Sequence, residues 1–348
     1  MAMTKKERFL ATLERKPVDR PAWWLGEPTA TAMPGLLAHF GVDGEETLKR
    51  VLDDDIYNIN VPYSSPAGNH IACAFNFAKN PEENYLERTL TDPGFFEDCE
   101  DPEAVEAFAW PDPEPHLDRE ESRRRAKAVP EGWVRMGLMW SCHFQDACAA
   151  FGMESALVAM LVNPEVFQAV IDRITAFYLK ANEIFYEATK GELDAVLVGN
   201  DFGCQTNLLL SPDLLRAHVF QGTKKLIDQA HAYGLKVIHH SCGSVHDVIP
   251  DIVRLGADAI HPIQALATGM DAPTLKRDFG GVASFCGGVD AQQLLVNGKP
   301  EEVAAKVREL RELFPTGLII SPSHEAILPD IPPANVQALA EAAKALMA

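Results

Sequence analysis

Two short polar segments in the C-terminal third of the sequence contain residue types that bind metal ions. His240 and Cys242 stand two residues apart just after the mostly apolar run 235–238, and His324 follows the apolar run 318–320. Because alternate residues of a β-strand face the same way, the side chains of His240 and Cys242 are predicted to converge, with His324 approaching from another strand. Imidazole nitrogen and thiolate sulfur together suit zinc. The spacing therefore predicts a zinc site formed by His240, Cys242 and His324.

The elements that must position this site alternate between short apolar segments and amphipathic ones. This alternation is typical of a buried parallel sheet covered by helices. Eight segments have the character of strands, and they lie near 22, 56–61, 134–140, 195–198, 236–239, 259–263, 282–285 and 318–320. Eight strands with intervening helices predict a closed (β/α)8 barrel, and an open doubly wound sheet is the alternative. No glycine-rich nucleotide-binding motif follows a strand.

The whole chain, residues 1–348, is predicted to form one α/β domain, a (β/α)8 TIM-type barrel with an N-terminal extension. Residues 63–130 are rich in Pro, Asp and Glu and lack a regular apolar period. They are predicted to form an irregular insertion over the barrel mouth rather than a separate domain, and their acidic part, 80–120, is a candidate docking surface.

Polar residues at the predicted strand ends define the candidate pocket, because functional side chains of such barrels lie there. Asp201, Glu27 and His261 are predicted to be catalytic. The predicted substrate contacts are Trp24, Cys142, His143, Asn200, Gln264 and Asp290. Structural roles remain open for some of them: Asp201 is also a candidate helix cap, and Cys142 a small residue that fills the pocket.

The charge and cysteine content narrow the class of protein. The formal net charge is -19 without a basic stripe, which disfavours nucleic acid as a partner and an anionic membrane surface as a binding site. No apolar run reaches the roughly 18 residues of a membrane span, and the N-terminus lacks an apolar leader. The seven scattered cysteines are typical of reduced thiols. A cytoplasmic enzyme is therefore expected.

Several segments resemble the uroporphyrinogen decarboxylase superfamily, and they occur in the same order along the chain. They are RFLATLERKPVDRP at 8–21, HSCG at 240–243, FCGGVD at 285–290, SPSH at 321–324 and PDIPPAN at 329–335. The resemblance covers nearly the whole chain. It implies a distorted (β/α)8 barrel with a deep cleft at the C-terminal ends of the strands.

The resemblance implies one of two chemistries. Decarboxylases of the superfamily have an arginine-rich segment after the first strand that binds the substrate's carboxylates, whereas residues 23–29 contain no arginine and include Glu27. The cobalamin-dependent methyltransferases, such as the methylcobamide:coenzyme M methyltransferases, hold zinc with a His-x-Cys pair and a late cysteine. His240 and Cys242 match the pair, and His324, or less well Ser323, takes the place of the late cysteine.

The sequence therefore predicts a zinc-dependent methyltransferase. It is expected to move a methyl group between a small thiol, methyl ether or other methylated compound and a corrinoid, carried by a partner protein. The first alternative is a metal-free decarboxylase or lyase acting on a small acid or a tetrapyrrole, in which Asp55 or Asp201 stabilises a protonated intermediate. The second is a non-catalytic tetrapyrrole-binding barrel. Related barrels are often dimers, so a homodimer is compatible with the resemblance.

Overall fold

Seven parallel strands form the main sheet of the computed structural model, which describes residues 3–80 and 87–346. Residues 81–86 of the predicted insertion, and two residues at each chain end, lie outside the described residues. The strands of this sheet follow one another in chain order: β2 (Ile56–Asn60), β3 (Val134–Trp140), β4 (Ala195–Gly199), β5 (Lys236–His240), β6 (Ala259–Ile263), β7 (Phe285–Val289) and β8 (Leu318–Pro322). A separate parallel pair is formed by β1 (Glu27–Pro28) and β9 (Ala326–Ile327).

Helices surround the sheet and connect its strands. They are α1 (Lys5–Leu13), α2 (Met33–Phe40), α3 (Glu45–Leu52), α4 (Pro102–Glu106), α5 (Arg119–Ala128), α6 (His143–Phe151), α7 (Met153–Val162), α8 (Pro164–Ala188), α9 (Pro212–Leu214), α10 (Phe220–Ala232), α11 (Ile249–Leu255), α12 (Ala272–Phe279), α13 (Leu294–Asn297), α14 (Pro300–Leu313) and α15 (Pro333–Lys344). Among the described residues, no single helix has the length and hydrophobicity of a membrane span; α6 and α7 reach them only jointly, with a bend of 94° between them.

The segment from Ala22 to Trp24 closes the sheet by hydrogen bonding to both of its edges. On one side, the amide of Asp55 donates to the carbonyl of Trp23 (3.1 Å). On the other side, the amide of Ile320 in β8 donates to Ala22 (2.8 Å), and the amide of Trp24 donates back to Ile320 (2.9 Å). This segment takes the eighth position, so the predicted (β/α)8 barrel is confirmed, and the open doubly wound alternative is not what forms.

The alternation of side chains along each strand separates the barrel interior from the layer under the helices. In β5, Ile238 belongs to the interior apolar cluster, and His240, two residues later, faces the same way. His239 points outward, where its ring stacks on Phe202 at 5.7 Å. Phe9 of α1 fills the interior from below. The period of two residues therefore sends His240, and not His239, into the barrel.

A buried ion network fixes the segment that closes the barrel. Asp55, immediately before β2, accepts from Arg8 Nη1 (2.8 Å) and Arg20 Nη1 (2.7 Å), and the amide of Trp23 also donates to its carboxylate (2.9 Å). Asp55 is fully buried, and both arginine side chains are nearly so. The network lies at the N-terminal end of β2, opposite the end where functional side chains are expected.

The structure corrects the predicted position of the seventh strand. The strand was predicted near 282–285, because that stretch is apolar, but β7 runs over Phe285–Val289, and Val282 is 58% exposed. Gly287 lies within this strand, at a position that has no room for a side chain. A Cβ on this residue would lie 2.6 Å from the Ile263 amide nitrogen. Glycine is a poor strand former, which is why the prediction missed it.

The described part of the 63–130 insertion is irregular up to residue 101, but it then contains the helices α4 and α5, which corrects the prediction for its C-terminal part. Aromatic side chains hold the irregular part together. Phe75 stacks on Phe77, and Phe96 stacks on Trp110. Phe75 also packs edge-on against Phe177 of the long helix α8, at 4.8 Å between ring centroids. These contacts hold the insertion against the barrel, in agreement with the prediction that it covers part of the mouth.

Replacing Arg20 with Met should lower the free energy of unfolding by about 3 kcal/mol or more, because the buried Asp55 carboxylate loses a counterion. The matched control is Arg50→Met. Arg50 pairs with Glu46 on the surface, where both side chains are about half exposed, and the expected loss is about 1 kcal/mol or less. Urea denaturation followed by circular dichroism measures both. Equal losses would contradict the role given to Arg20.

Candidate functional site

His240 is the centre of a polar cluster at the C-terminal end of the barrel. Its Nε2 atom lies 3.4 Å from Cys242 Sγ and 3.2 Å from Asp201 Oδ1. Its Nδ1 atom lies 2.9 Å from His261 Nδ1 and 3.6 Å from Glu325 Oε2. One imidazole thus faces a thiol and a carboxylate on one side, and an imidazole and a carboxylate on the other.

Two sets of three ligand atoms in this cluster have the spacing of a metal site. Asp201, His240 and Cys242 form one set, and His240, His261 and Glu325 form the other; within each set all ligand atoms lie within 4.8 Å of one another. Tetrahedral zinc, with bonds of about 2.0–2.3 Å, requires neighbouring ligand atoms to lie about 3.3–3.8 Å apart. The set that contains the thiol has the donor chemistry predicted for zinc.

His324, the third predicted ligand, lies beside this set and contacts Cys242. Its Nδ1 atom accepts from the amide of Ala326 (3.1 Å). A hydrogen bond with Cys242 raises the pKa of His324 above its ordinary value, although burial opposes the shift. Asp201, at the end of β4, is instead the carboxylate that joins His240 and Cys242 within ligand distance.

Two buried atoms of the cluster have no hydrogen-bond partner within the described chain. They are Nε2 of His261 and Oε2 of Glu325. An unpaired buried polar atom costs about 1–3 kcal/mol, so such atoms usually have a ligand that satisfies them. A cation held by this cluster would satisfy the Glu325 oxygen, whereas the His261 nitrogen can donate to a bound ligand. The donor set of His240, Cys242 and Asp201 therefore suits a zinc ion.

The two neighbouring imidazoles titrate in opposite directions. Burial alone lowers the pKa of His240, but its hydrogen bonds to Asp201 and Cys242 and the charge of Glu325 hold that pKa well above the ordinary value. Burial and the charge of His240 hold the pKa of His261 well below its ordinary value. In the 2.9 Å contact, therefore, His240 donates from Nδ1 and His261 accepts.

Glycine allows two close backbone approaches that the cluster requires. A Cβ on Gly199, at the end of β4, would lie 2.0 Å from the carbonyl oxygen of His240. Gly26 has φ +89°, and a Cβ there would lie 2.2 Å from the carbonyl oxygen of Glu325. Side chains at these positions would separate strand ends that must meet.

A bulge at the end of β3 turns an aromatic ring toward the cluster. The pairing of β3 with β4 shifts register between Leu138 and Trp140, and Trp140 and Ser141 have positive φ of 64° and 57°. The Trp140 ring then packs edge-on against His240 at 5.2 Å between centroids. Bulges and left-handed residues of this kind concentrate at functional sites.

A cavity of about 270 Å³ opens beside the cluster, between the strand ends and the insertion. Its wall is formed by the cluster, the ends of β3 and β4, the helices α6 and α8, and the insertion. The lining residues are His70, Ile71, Ala72, Trp140, Cys142, Gln145, Asp146, Tyr178, Gly199, Asp201, His240, His324 and Glu325. The volume suits a small molecule.

Three of the predicted catalytic and substrate residues lie in or beside the cavity wall. Asp201 and Cys142 line the cavity, and burial raises the pKa of the Cys142 thiol well above its ordinary value. Glu27 lies behind the wall, where its amide donates to the carbonyl of Glu325 (2.7 Å) and its carboxylate accepts from Asn60 (3.2 Å). Burial raises the pKa of Glu27.

Two further predicted residues adjoin the cluster from other directions. The Trp24 ring lies 5.3 Å from the His261 ring, and its indole donates to Asn58 (3.0 Å). Gln264 lines a neighbouring cavity of about 240 Å³ together with His324, and its side-chain oxygen accepts from the amide of Gly243 (2.7 Å).

The structure does not bring the remaining predicted substrate contacts to the cavity wall. Asn200 accepts from the amide of Phe144 at 2.7 Å and thereby holds the start of α6. His143 is fully buried, and its Nε2 lies 3.2 Å from the Val219 carbonyl. The carboxylate of Asp290 accepts from three successive amides in the turn that leads into α13.

Sequence reasoning missed Glu325 and the helix residues of the wall, Gln145, Asp146 and Tyr178. Glu325 directly follows His324, so extending the strand-end reading by one residue would have included it. The other three come from helices α6 and α8, where no local pattern separates a residue that faces a cavity from one that faces the core.

Comparisons with known proteins agree with this architecture. The family model for uroporphyrinogen decarboxylase (URO-D) matches residues 134–346, more than half of the chain. The chain belongs to the uroporphyrinogen decarboxylase family. The family resemblance seen in the sequence is thereby confirmed. Among solved structures, a methyltransferase from Methanosarcina mazei is similar, with a TM-score of 0.66, 18% identity and 98% of each chain covered, and this likeness shows the fold. The comparison with curated proteins found no match.

Cys242→Ser and Asp201→Asn should each lower the affinity for zinc by at least about 10-fold. Each variant replaces a ligand atom that lies within 4.8 Å of His240. His324→Ala should lower the affinity less. Zinc retained after dialysis against a weak chelator measures the effect, with Cys99→Ala in the insertion as the control. Loss of zinc in His324→Ala but not in Asp201→Asn would contradict the role given to Asp201 and support the predicted set of His240, Cys242 and His324.

Proposed function

We propose that this protein is a zinc-dependent methyltransferase that moves a methyl group between a small thiol or methyl ether and a corrinoid. The observation that carries the proposal is the His240–Cys242 pair, joined by the Asp201 carboxylate and opening onto a small cavity. Membership of the family and the similar fold of the Methanosarcina mazei methyltransferase support it.

His240, Cys242 and Asp201 would hold the zinc ion, and His324 stands next to them. A zinc ion there would lower the pKa of a bound thiol or polarise the oxygen of a methyl ether. Gln145 donates to Asp201 Oδ2 at 3.1 Å, and the amide of Cys242 donates to Oδ1 at 2.8 Å. These two bonds fix the direction of the Asp201 carboxylate.

The remaining side chains of the site position the reacting groups and limit access of water. The contact between His240 Nδ1 and His261 fixes the plane of the His240 ring, so that Nε2 points toward Cys242 and the cavity. The Trp140 ring covers one edge of His240. His70 and Ile71 of the insertion cover the cavity from outside, which separates the substrate from bulk solvent.

The size of the cavity indicates how the second reactant arrives. A volume of about 270 Å³ holds a small substrate but not a corrin macrocycle as well. The methyl group must therefore be exchanged at the mouth, with the corrinoid held by a partner protein. The insertion reaches the cavity through His70, Ile71 and Ala72, and its acidic described part, from residue 87 to 120, is the proposed docking surface.

The metal-free decarboxylase or lyase has less support in the geometry. Both carboxylate oxygens of Asp55 bond to buried arginines at the far end of β2, so this group does not reach the cavity. Of the described residues that line the cavity, none is Lys or Arg. The imidazoles of His240 and His324 already face Asp201 and Glu325, so a substrate with several carboxylates would meet little free complementary charge.

Zinc-loaded protein should transfer the methyl group of methylcobalamin to members of a panel of small thiols, or remove it from methyl ethers in the presence of reduced cobalamin. Absorption spectroscopy of the corrinoid follows both directions. Cys242→Ala should slow transfer by about 100-fold or more, because it removes a ligand of the zinc ion on which the transfer would depend. Cys99→Ala, whose thiol bonds to the Asp101 carbonyl, should not. A Cys242→Ala protein that retains both zinc and full transfer would contradict the proposal.

A further inference from the structure

The cavity beside His240 has a second polar region, formed by side chains that the proposed chemistry does not use. Asp146 from α6 and Tyr178 from α8 both line the cavity, and Tyr178 Oη donates to Asp146 Oδ2 at 2.6 Å. In residues 3–80 and 87–346, no Lys, Arg or His forms an ion pair with Asp146. The surrounding protein desolvates the carboxylate and raises the pKa of Asp146 to about 7, against the effect of the Tyr178 hydrogen bond.

Gln145 adds an unsatisfied acceptor next to Asp146. Its Nε2 donates to Asp201 Oδ2 at 3.1 Å, which fixes the orientation of the amide. Its Oε1 is buried and has no hydrogen-bond partner in the described chain. Asp146 and Gln145 are neighbouring acceptors, and Tyr178 is the one described side-chain donor to Asp146. The pair therefore favours a ligand that brings hydrogen-bond donors of its own.

The charge of the wall selects among such ligands. Asp146, Asp201 and Glu325 all line the cavity, and no lining residue within the described ranges is Lys or Arg. Even if Asp201 contributes to a metal site, Asp146 remains without a counterion. The imidazoles of His240 and His324, which also line the cavity, face Asp201 and Glu325, and neither pairs with Asp146. At Asp146, therefore, a carboxylate or phosphate on the substrate would be repelled, whereas a cation would complete a buried ion pair.

Aromatic rings beside Asp146 suit the same kind of group. Tyr178 contributes its ring as well as its hydroxyl, and Trp140 lines the same cavity. The faces of such rings attract cations, most strongly where water is excluded. Carboxylate, amide oxygen and aromatic rings together form a site for an ammonium group rather than for a neutral or anionic one.

We propose that Asp146, Gln145, Tyr178 and Trp140 bind a positively charged ammonium group of the substrate. The reacting thiol or ether oxygen of the same molecule then faces Asp201 and His240. The placement of the reacting atom beside Asp201 and His240 rests on the proposed function, whereas binding of the ammonium group does not. The substrate class is therefore a small aminothiol or a methyl ether that carries an amine.

Three small ethers of matched length test the inference by binding alone: 2-methoxyethylammonium, 2-methoxyethanol and methoxyacetate. They share the methyl ether and differ in charge at the other end. Ligand-observed NMR with the purified full-length protein gives their dissociation constants. The ammonium compound should bind at least about 10-fold more tightly than the alcohol, as expected for a hydrogen bond to a charged group. Methoxyacetate should bind more weakly still.

Asp146→Asn keeps the shape of the side chain and removes its charge, so it should abolish the preference for the ammonium compound over the alcohol. Tyr178→Phe keeps the carboxylate and the ring but removes the hydrogen bond that favours the ionised carboxylate, so it should weaken the preference without abolishing it. Asp247→Asn, at a 76% exposed side chain, is the matched control. Circular dichroism establishes that each variant is folded.

Equal or tighter binding of the alcohol, binding of none of the three ethers, or an unchanged preference in folded Asp146→Asn would each overturn the inference. Methyl transfer is measured separately with methylcobalamin. A protein that prefers the ammonium ether but neither binds zinc nor transfers methyl groups would overturn the proposed function and leave the ammonium site standing. Methyl transfer to neutral substrates, without a preference for the ammonium ether, would overturn the ammonium site and leave the proposed function standing.

Discussion

Closure of the barrel is the constraint on which the polar cluster depends. His240 ends β5, whereas His324 and Glu325 follow β8, three strands further round the sheet. In an open sheet these ends would lie far apart. The segment from Ala22 to Trp24 bonds to β8 and to the start of β2, and the buried Arg8–Asp55–Arg20 network holds it there. An ion network at one end of the barrel therefore allows a carboxylate and an imidazole from opposite sides to meet at the other end.

The cluster then combines groups that can hold a cation around the buried rings of His240 and His261. His240 contacts the thiol of Cys242 through one nitrogen and His261 through the other, so its orientation is fixed before any ligand arrives. Glu325 and His261 retain buried atoms without partners in the described chain. Such preorganisation costs stability in the absence of a ligand, and binding restores it.

Local patterns in the sequence predicted the parts of this arrangement that depend on strand period. Alternation along β5 placed His240 in the barrel, and reading the strand ends identified Asp201 and His261. The patterns did not predict which carboxylate approaches Cys242 most closely, because that distance depends on how β4 and β5 meet at Gly199. They also missed Asp146 and Tyr178, since the face of a helix that borders a cavity has the same period as one that borders the core. The strand β7 was predicted too early in the chain because it contains two glycines, which have low strand propensity. Gly287 is present because the neighbouring backbone of Ile263 leaves no room for a side chain.

The central claim is that zinc is bound through the Cys242 sulfur together with nitrogen and oxygen donors. X-ray absorption at the zinc edge of the zinc-loaded protein tests it most directly, because sulfur and the lighter donors differ in distance and in scattering. The account predicts one sulfur neighbour at about 2.3 Å and nitrogen or oxygen neighbours at about 2.0–2.2 Å. A zinc shell without sulfur, or a protein that takes up no zinc, would contradict it.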